Sequence, residues 1–259
     1  MVIHFYKYHG AGNDFILIDD RSNSFALDNQ SLIEKMCDRH FGIGADGLML
    51  LRNHADYDFE MIYYNADGKQ SSMCGNGGRC IVSFAHYLGV ISQKTRFLAI
   101  DGAHEAIVHL SNSISLEMID VASIEDLTDN SCLLDTGSPH YIEVRNNIAN
   151  IDLATEARKI RYNDRFREKG VNVNFVELKD RIVHIRTYER GVEDETLACG
   201  TGVTAAAIAM HHWKMVGTEV KVKAIGGDLE VSFDHIESLY TKVWKKGPVK
   251  SVFEGNWKE

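Results

Sequence analysis

Two cysteines, Cys74 and Cys199, each stand directly before a glycine–polar–glycine triplet. The triplets are Gly75-Asn76-Gly77 and Gly200-Thr201-Gly202, and each opens an apolar run that reads as a helix. A cysteine at a helix start lies where backbone N–H groups lack intrahelical partners and the helix dipole is positive. Such a setting favours the thiolate and can bring a thiol from about 8.5 into the range of roughly 3.5–7.5. The same N–H groups bind an anion, and glycine lets a ligand approach the backbone. Two such starts gripping one carboxylate would place a sulfur on either face of its α-carbon. One thiolate could then remove the α-proton while the other thiol delivers a proton to the opposite face. The enolate-like charge would rest on preorganised donors, each worth roughly 2.7–4 kcal/mol. That chemistry is racemisation or epimerisation, and it needs no cofactor. A lone cysteine is more often a small buried hydrophobe. Cys37, Cys80 and Cys132 are read that way, and repetition of the motif sets Cys74 and Cys199 apart.

The elements that position the two cysteines repeat as well. Tyr64-Asn65 leads through a polar loop to the first triplet, and Tyr188-Glu189-Arg190 leads through another to the second. The motifs lie about half a chain length apart, which suggests duplication and a site shared by two lobes. Val2–Lys7 and Phe15–Asp19 read as strands around the turn segment His9 to Asp14. Ser31-Leu32-Ile33-Glu34 has capping-box form and starts a short helix to about Cys37. Leu48–Leu51 and Phe59–Asn65 are strands, and the first glycine-rich helix runs to Leu88 with Gly89 as its stop. In the second half Val173–Leu178 and Ile182–Glu189 are strands. Val203–Met210, apolar almost all round, is a helix buried against sheet on several sides. Val220–Ile225 and Asp228–Phe233 form a hairpin with Gly226-Gly227 as the turn. The class is α/β (α+β), and the repeat puts a boundary near Met118–Ala122.

Bulk properties exclude several functions. The 259 residues carry a net charge of -9, which offers no field for nucleic acid or an anionic membrane. There is no apolar run of about 20 residues and no secretory signal at the N-terminus. Five widely spread cysteines, an odd number, fit a reducing, cytoplasmic setting. Gly42-Ile43-Gly44-Ala45-Asp46-Gly47 satisfies G-x-G-x-x-G, but a helical stretch precedes it and a strand follows, the reverse of the dinucleotide motif. No zinc-type spacing occurs, so no metal is expected.

Taken together the motifs resemble the diaminopimelate epimerases. The resemblance rests on His9-Gly10-Ala11-Gly12-Asn13-Asp14-Phe15, Asn65-Ala66-Asp67-Gly68 and Met73-Cys74-Gly75-Asn76-Gly77-Gly78-Arg79-Cys80. It continues through Gly170-Val171-Asn172-Val173-Asn174-Phe175, Tyr188-Glu189-Arg190-Gly191 and Ala198-Cys199-Gly200-Thr201-Gly202, and so spans essentially the whole chain. It implies two pseudo-symmetric lobes, residues 1–118 joined by a returning segment 246–259, and residues 119–245. Each lobe would wrap a curved, mostly antiparallel sheet round a central helix, with the active site in the cleft. It implies homodimers, no cofactor, and conversion of LL- to meso-diaminopimelate in lysine and peptidoglycan-precursor synthesis. Cys74 and Cys199 would be the acid–base pair, with Gly75, Asn76, Gly200 and Thr201 on the reacting carboxylate. Asn13, Asn65, Asn172, Glu189 and Arg190 would recognise the remaining amino and carboxylate groups, while His140 and Glu189 would tune thiol acidity. Two positions depart from the pattern: Gly47 stands where many members have Gln, and Ser138 where many have Asn. Rival readings are a proline-racemase-like enzyme, a phenazine-type isomerase (against which the cysteine pair argues), a thiol-based redox sensor and a binding protein.

Overall fold

Alternating burial marks the first strand: β1 (Val2–Gly10) buries Ile3 and Phe5 and exposes Val2 and His4. In this computed structural model, which describes residues 2–27, 29–71, 73–111 and 113–258, β1 turns into β2 (Asn13–Asp19) through Ala11-Gly12 alone. Both turn residues have positive φ, 55° and 86°, as a hairpin turn matched to strand twist requires. The turn is thus tighter than the six-residue segment expected. Next come α1 (Gln30–Cys37), β3 (Gly47–Arg52), β4 (Glu60–Asn65), α2 (Gly75–Tyr87), β5 (Lys94–Ala99), β6 (Gly102–Val108) and β7 (Ser113–Glu117). The cap of α1 is Asn29, whose side chain accepts from the Leu32 N–H at 3.1 Å. Ser31, the expected cap, lies inside the helix.

The second half contains β8 (Ile124–Thr128), β9 (Ser131–Asp135), β10 (Pro139–Val144), α3 (Leu153–Arg161), β11 (Asn172–Lys179), β12 (Ile182–Glu189) and β13 (Asp194–Thr196). It continues with α4 (Gly200–His212), β14 (Glu219–Ala224), β15 (Gly227–Ile236) and β16 (Leu239–Pro248), after which β17 (Lys250–Lys258) returns to pair antiparallel with β1. The chain divides into one unit of Met1–Leu116 with Gly247–Glu259 and another of Glu117–Lys246. Ala224 pairs with Gly227, so the β14–β15 turn is Ile225-Gly226, one residue earlier than expected.

Strand pairing shows the duplication. In the first unit β1–β2 is antiparallel, β2–β3 parallel, β3–β4 antiparallel, β4–β5 parallel and β5–β6 antiparallel. In the second, β9–β10, β10–β11, β11–β12, β12–β14 and β14–β15 follow the same alternation. Each unit also carries two helices on its sheet. Leu32, Ile33 and Met36 of α1 pack with Ile16, Ile18, Leu48 and Leu50, and Leu153 and Ala157 of α3 pack with Val173, Phe175 and Tyr188. The second helix of each unit, α2 or α4, is buried nearly all round, Val203 to Met210 being fully inaccessible. At roughly 1.5–3 kcal/mol per buried large apolar side chain, these contacts hold α2 and α4 in place. The N-terminal turns that carry the cysteines are therefore fixed by the helices' own cores.

Candidate active site

In the first unit, Cys74 is the N-cap of α2, with φ −94° and ψ 134°. Its Sγ accepts from the Gly77 N–H at 3.5 Å and donates to Asn13 Oδ1 at 3.6 Å. The sulfur thus has a partner for either protonation state, which suits a group that gains and loses a proton. Asn13 begins β2, and its amide orientation is fixed because Nδ2 donates to Asp46. Oδ1 is therefore turned toward Cys74 and toward Asn76 Nδ2, 3.5 Å away. Asp46 also accepts from the Asp14 N–H at 3.2 Å and pairs with Arg39 at 2.6 Å. Burial would raise the Asp14 carboxyl, but Arg39 and Lys7 outweigh it and hold it at about 2. Asn76, 2% exposed, accepts from Arg79 Nη2 at 2.8 Å. Asn65 ends β4 with an exposed side chain that makes no hydrogen bond to the described residues.

In the second unit, Cys199 caps α4 with φ −92° and ψ 115°. It is 7% exposed. Burial and the neighbouring Glu189 charge push its thiol up to about 12, against the opposing pull of Thr201, the Gly202 N–H and Lys245. Its Sγ lies 3.5 Å from Thr201 Oγ1, which is 2.9 Å from His140 Nε2. His140 is fully buried, and burial pushes it down to about 3, so the ring is neutral. Glu189 Oε2 accepts from Thr196 at 2.8 Å. Asn172 is committed within the protein: Nδ2 donates to Ser138 Oγ and the Pro139 carbonyl, and Oδ1 accepts from the Arg190 N–H. Its amide therefore holds the Ser138 and Arg190 segments together. Arg190 is exposed and donates to Ser138 Oγ at 3.3 Å and the Lys169 carbonyl at 3.2 Å. No described carboxylate pairs with its guanidinium, which leaves it able to take one bidentately.

The first unit thus gathers Asn13, Cys74, Gly75 and Asn76, and the second gathers His140, Asn172, Glu189, Arg190, Cys199, Gly200 and Thr201. Each gathering sets a cysteine thiol at a helix start, where backbone N–H groups can bind an anion. A family model described as diaminopimelate epimerase matches residues 5–117 and 132–252. The chain belongs to the diaminopimelate epimerase family. A diaminopimelate epimerase of Flavobacterium psychrophilum is 51% identical over 251 residues, covering 96% of this chain and 98% of that protein. One of Chlorobaculum tepidum is 43% identical, covering 95% and 98%. Among solved structures, a Bacillus anthracis phenazine biosynthesis protein of the PhzF family superposes with TM-score 0.74 at 14% identity, over 100% of both chains. A hydroxyproline epimerase from Agrobacterium vitis gives 0.68 at 14% identity, over 98% of this chain and 92% of that one. These likenesses establish the two-lobe epimerase fold.

The two departures from the family pattern now have physical settings. A Cβ on Gly47 would lie 2.4 Å from the Tyr64 carbonyl oxygen and 2.6 Å from Tyr63 Cε2. Backbone cannot yield as a side-chain tip can, so Gly47→Ala should lower stability by about 1–3 kcal/mol. Urea unfolding checks this, and an unchanged midpoint would mean that β3 and β4 part freely there. Ser138 keeps its expected bonding capacity by accepting from both Asn172 and Arg190.

Sequence reasoning did not pick out Asp46, Arg39, Asn174 or Thr136, whose Oγ1 donates to the Thr201 carbonyl at 2.8 Å, as site residues. A signal existed for Asn174, since Asn172 and Asn174 stand two apart and share one strand face with Val176 and Leu178. The other three cysteines are buried, with their thiols pushed upward chiefly by burial. All five are free. Among the described residues no group of three His, Cys, Asp or Glu could hold a metal ion, and no helix is long and apolar enough to cross a membrane.

Proposed function

We propose that this chain interconverts LL- and meso-diaminopimelate by two-base α-proton transfer between the thiols of Cys74 and Cys199. The observation that carries the reading is the paired helix start, Cys-Gly-Asn-Gly and Cys-Gly-Thr-Gly, in a member of this family. Burial and the Glu189 charge favour the Cys199 thiol, so in one direction Cys199 serves as the acid and Cys74 as the base. Cys74 takes the α-proton and Cys199 gives its own to the other face. In the reverse direction the roles exchange. The N–H groups at Gly75-Asn76 and Gly200-Thr201 hold the carboxylate while charge develops on it. Asn13, Asn65 and Glu189 serve the substrate's amino groups, and Arg190 takes the distant carboxylate. The reaction needs no cofactor, and its setting is the cytoplasm, in lysine and peptidoglycan-precursor synthesis, with a homodimer as the working form.

Proton NMR of the reduced protein with LL-diaminopimelate in D₂O tests this. Loss of the α-proton signal together with appearance of the meso isomer is expected. If the thiols are reduced and neither occurs, while proline or hydroxyproline exchanges, the substrate belongs to the racemase branch of the fold instead. Activity that is indifferent to oxidation of the thiols would remove the two-thiol mechanism.

A further inference from the structure

A polar chain leads away from Cys199 through Thr201 to the fully buried His140 and Asn174. Thr201 Oγ1 lies 3.5 Å from Cys199 Sγ and 2.9 Å from His140 Nε2. His140 Nδ1 lies 3.1 Å from Asn174 Nδ2, and Asn174 Oδ1 accepts from Thr187 Oγ1 at 2.9 Å. His140 and Asn174 are both fully buried. Gly202 brings the helix start onto them: a Cβ there would lie 2.7 Å from Asn174 Oδ1, 3.2 Å from His140 Cε1 and 3.3 Å from Cys199 Cβ.

The polarity of this chain can be read outward from Asn174. Its amide nitrogen also faces the carbonyls of Tyr141, at 3.0 Å, and Asn172, at 3.4 Å. Carbonyls only accept, so the amide cannot be flipped, and His140 Nδ1 faces an N–H₂ group that can donate but not accept, which leaves that ring nitrogen as the acceptor. The neutral ring then carries its proton on Nε2 and donates it to Thr201 Oγ1. That leaves the Thr201 hydroxyl hydrogen uncommitted. When Cys199 is a thiol, Thr201 can accept from it. When Cys199 is a thiolate, Thr201 can turn its hydrogen to the sulfur. In the opposite tautomer Nε2 would be an acceptor and would claim that hydrogen, leaving the buried thiolate without this donor.

We infer that Asn174 is a positioning residue for the reaction: it locks His140 as the Nε2–H tautomer and so reserves the Thr201 hydroxyl for the Cys199 thiolate. The inference rests on the proposed role of Cys199 but concerns a hydrogen-bond direction that can be observed without turnover. Besides Thr201, the charged groups acting on Cys199 are Glu189 and Lys245, and Arg190 acts on His140. None of the three belongs to the chain, so changes at Asn174 leave their charges in place.

Nitrogen-15 NMR of histidine-labelled protein tests the direction first. A single neutral form of His140 protonated on Nε2 is expected near pH 7. A ring protonated on Nδ1, or on both nitrogens, overturns the inference whether or not the protein is an epimerase. Asn174→Leu removes the lock at similar volume. It should mix the two tautomers, lower kcat about tenfold, and move the pH midpoint of Cys199 alkylation upward by about one unit, the equivalent of that factor. The midpoint for Cys74 should stay where it is. Thr201→Val should shift the Cys199 midpoint by a similar amount, and the double variant should shift it no further, because both act through one hydroxyl. Additive shifts, or a folded Asn174→Leu protein with an unmoved Cys199 midpoint, would remove Asn174 from this role. If Asn174→Leu does not fold, the wild-type tautomer and the Thr201→Val midpoint still decide.

Discussion

Cys199→Ala is expected to stop isomer interconversion and still exchange α-hydrogen with solvent on one side. With Cys199 gone, Cys74 can remove a proton and return deuterium to the same face. Deuterium then enters only the α-carbon configuration that presents its hydrogen to Cys74, and no inverted product forms. Cys74→Ala should do the same for the opposite configuration. The loss in turnover for each should be at least about 10²–10⁴-fold, the usual contribution of one positioned acid or base. Neither fold should suffer much. The Cys74 sulfur makes one long cap contact, 3.5 Å to the Gly77 N–H, and loss of even a good cap costs only about 1 kcal/mol. Cys199 is a small side chain, so the cavity left by alanine is small. Proton NMR in D₂O, run separately on the LL and meso isomers for each variant, decides. Near-normal turnover in either variant, or exchange into the same configuration in both, would rule out an acid–base pair acting from two faces.

Much of this arrangement was legible in the residues. α4 could be read because Val203–Met210, apolar but for Thr204, has no solvent face, and β3 because its run is flanked by turn residues. Two misses were local, at a helix cap and a hairpin turn, while Asp46 and Asn174 escaped because their partners come from far along the chain. The cap of α1 was placed at Ser31 because S-x-x-E is a real capping pattern, yet Asn29 caps the helix two residues earlier by accepting from the Leu32 N–H. The β14–β15 turn slipped by one residue because Gly226 and Gly227 serve a turn equally well. Pairing of Val222 with Leu229 and Val220 with Val231 sets the register, and local composition cannot choose between the two glycines. Asp46 read as part of a false dinucleotide motif, but its carboxylate is what orients Asn13. Asn174 is informative only once His140, 34 residues away in sequence, is seen to lie beside it.

The duplicated pairing also shows how one scaffold came to hold two unlike surroundings. Phe15 pairs with Gly47 in the first unit where His140 pairs with Asn172 in the second. Gly47 pairs with Asn65, while the strand residue after Tyr188, partner of Val173, is Glu189. The backbone repeats, but the side chains at the strand ends do not. Cys74 meets an amide oxygen from the start of β2, and Cys199 a hydroxyl from its own helix start. Two-base inversion asks for this kind of difference, because one thiol must begin as acid while the other begins as base.

Arg79→Met should leave the fold as stable as before, or more stable, and should still damage catalysis. Arg79 is fully buried in α2, and no described carboxylate pairs with it. Its Nη1 donates to the Gly75 carbonyl at 3.1 Å and Nη2 to Asn76 Oδ1 at 2.8 Å, while Nε has no partner among the described residues. Burial without a counter-charge costs several kcal/mol, and apolar replacement of buried charged groups has stabilised other proteins by about 1–4 kcal/mol. Methionine is flexible enough to fill the space that the guanidinium occupies near Gly10. The function of the charge lies at the helix start. By taking Asn76 Oδ1, Arg79 turns the Asn76 N–H₂ toward Asn13 Oδ1 and the Cys74 end of the helix, and its positive charge favours the Cys74 thiolate. Without it the Asn76 amide can flip and present oxygen to the substrate's negative charge. A hydrogen bond to a charged group is worth about 1.5–3 kcal/mol, so kcat/KM should fall by roughly 10–100-fold, with much of the loss in KM. Thermal unfolding and steady-state kinetics on the same preparation separate the two effects. A lowered melting temperature with KM intact would make Arg79 a structural ion after all, and the orientation of Asn76 would then have to come from Asn13 alone.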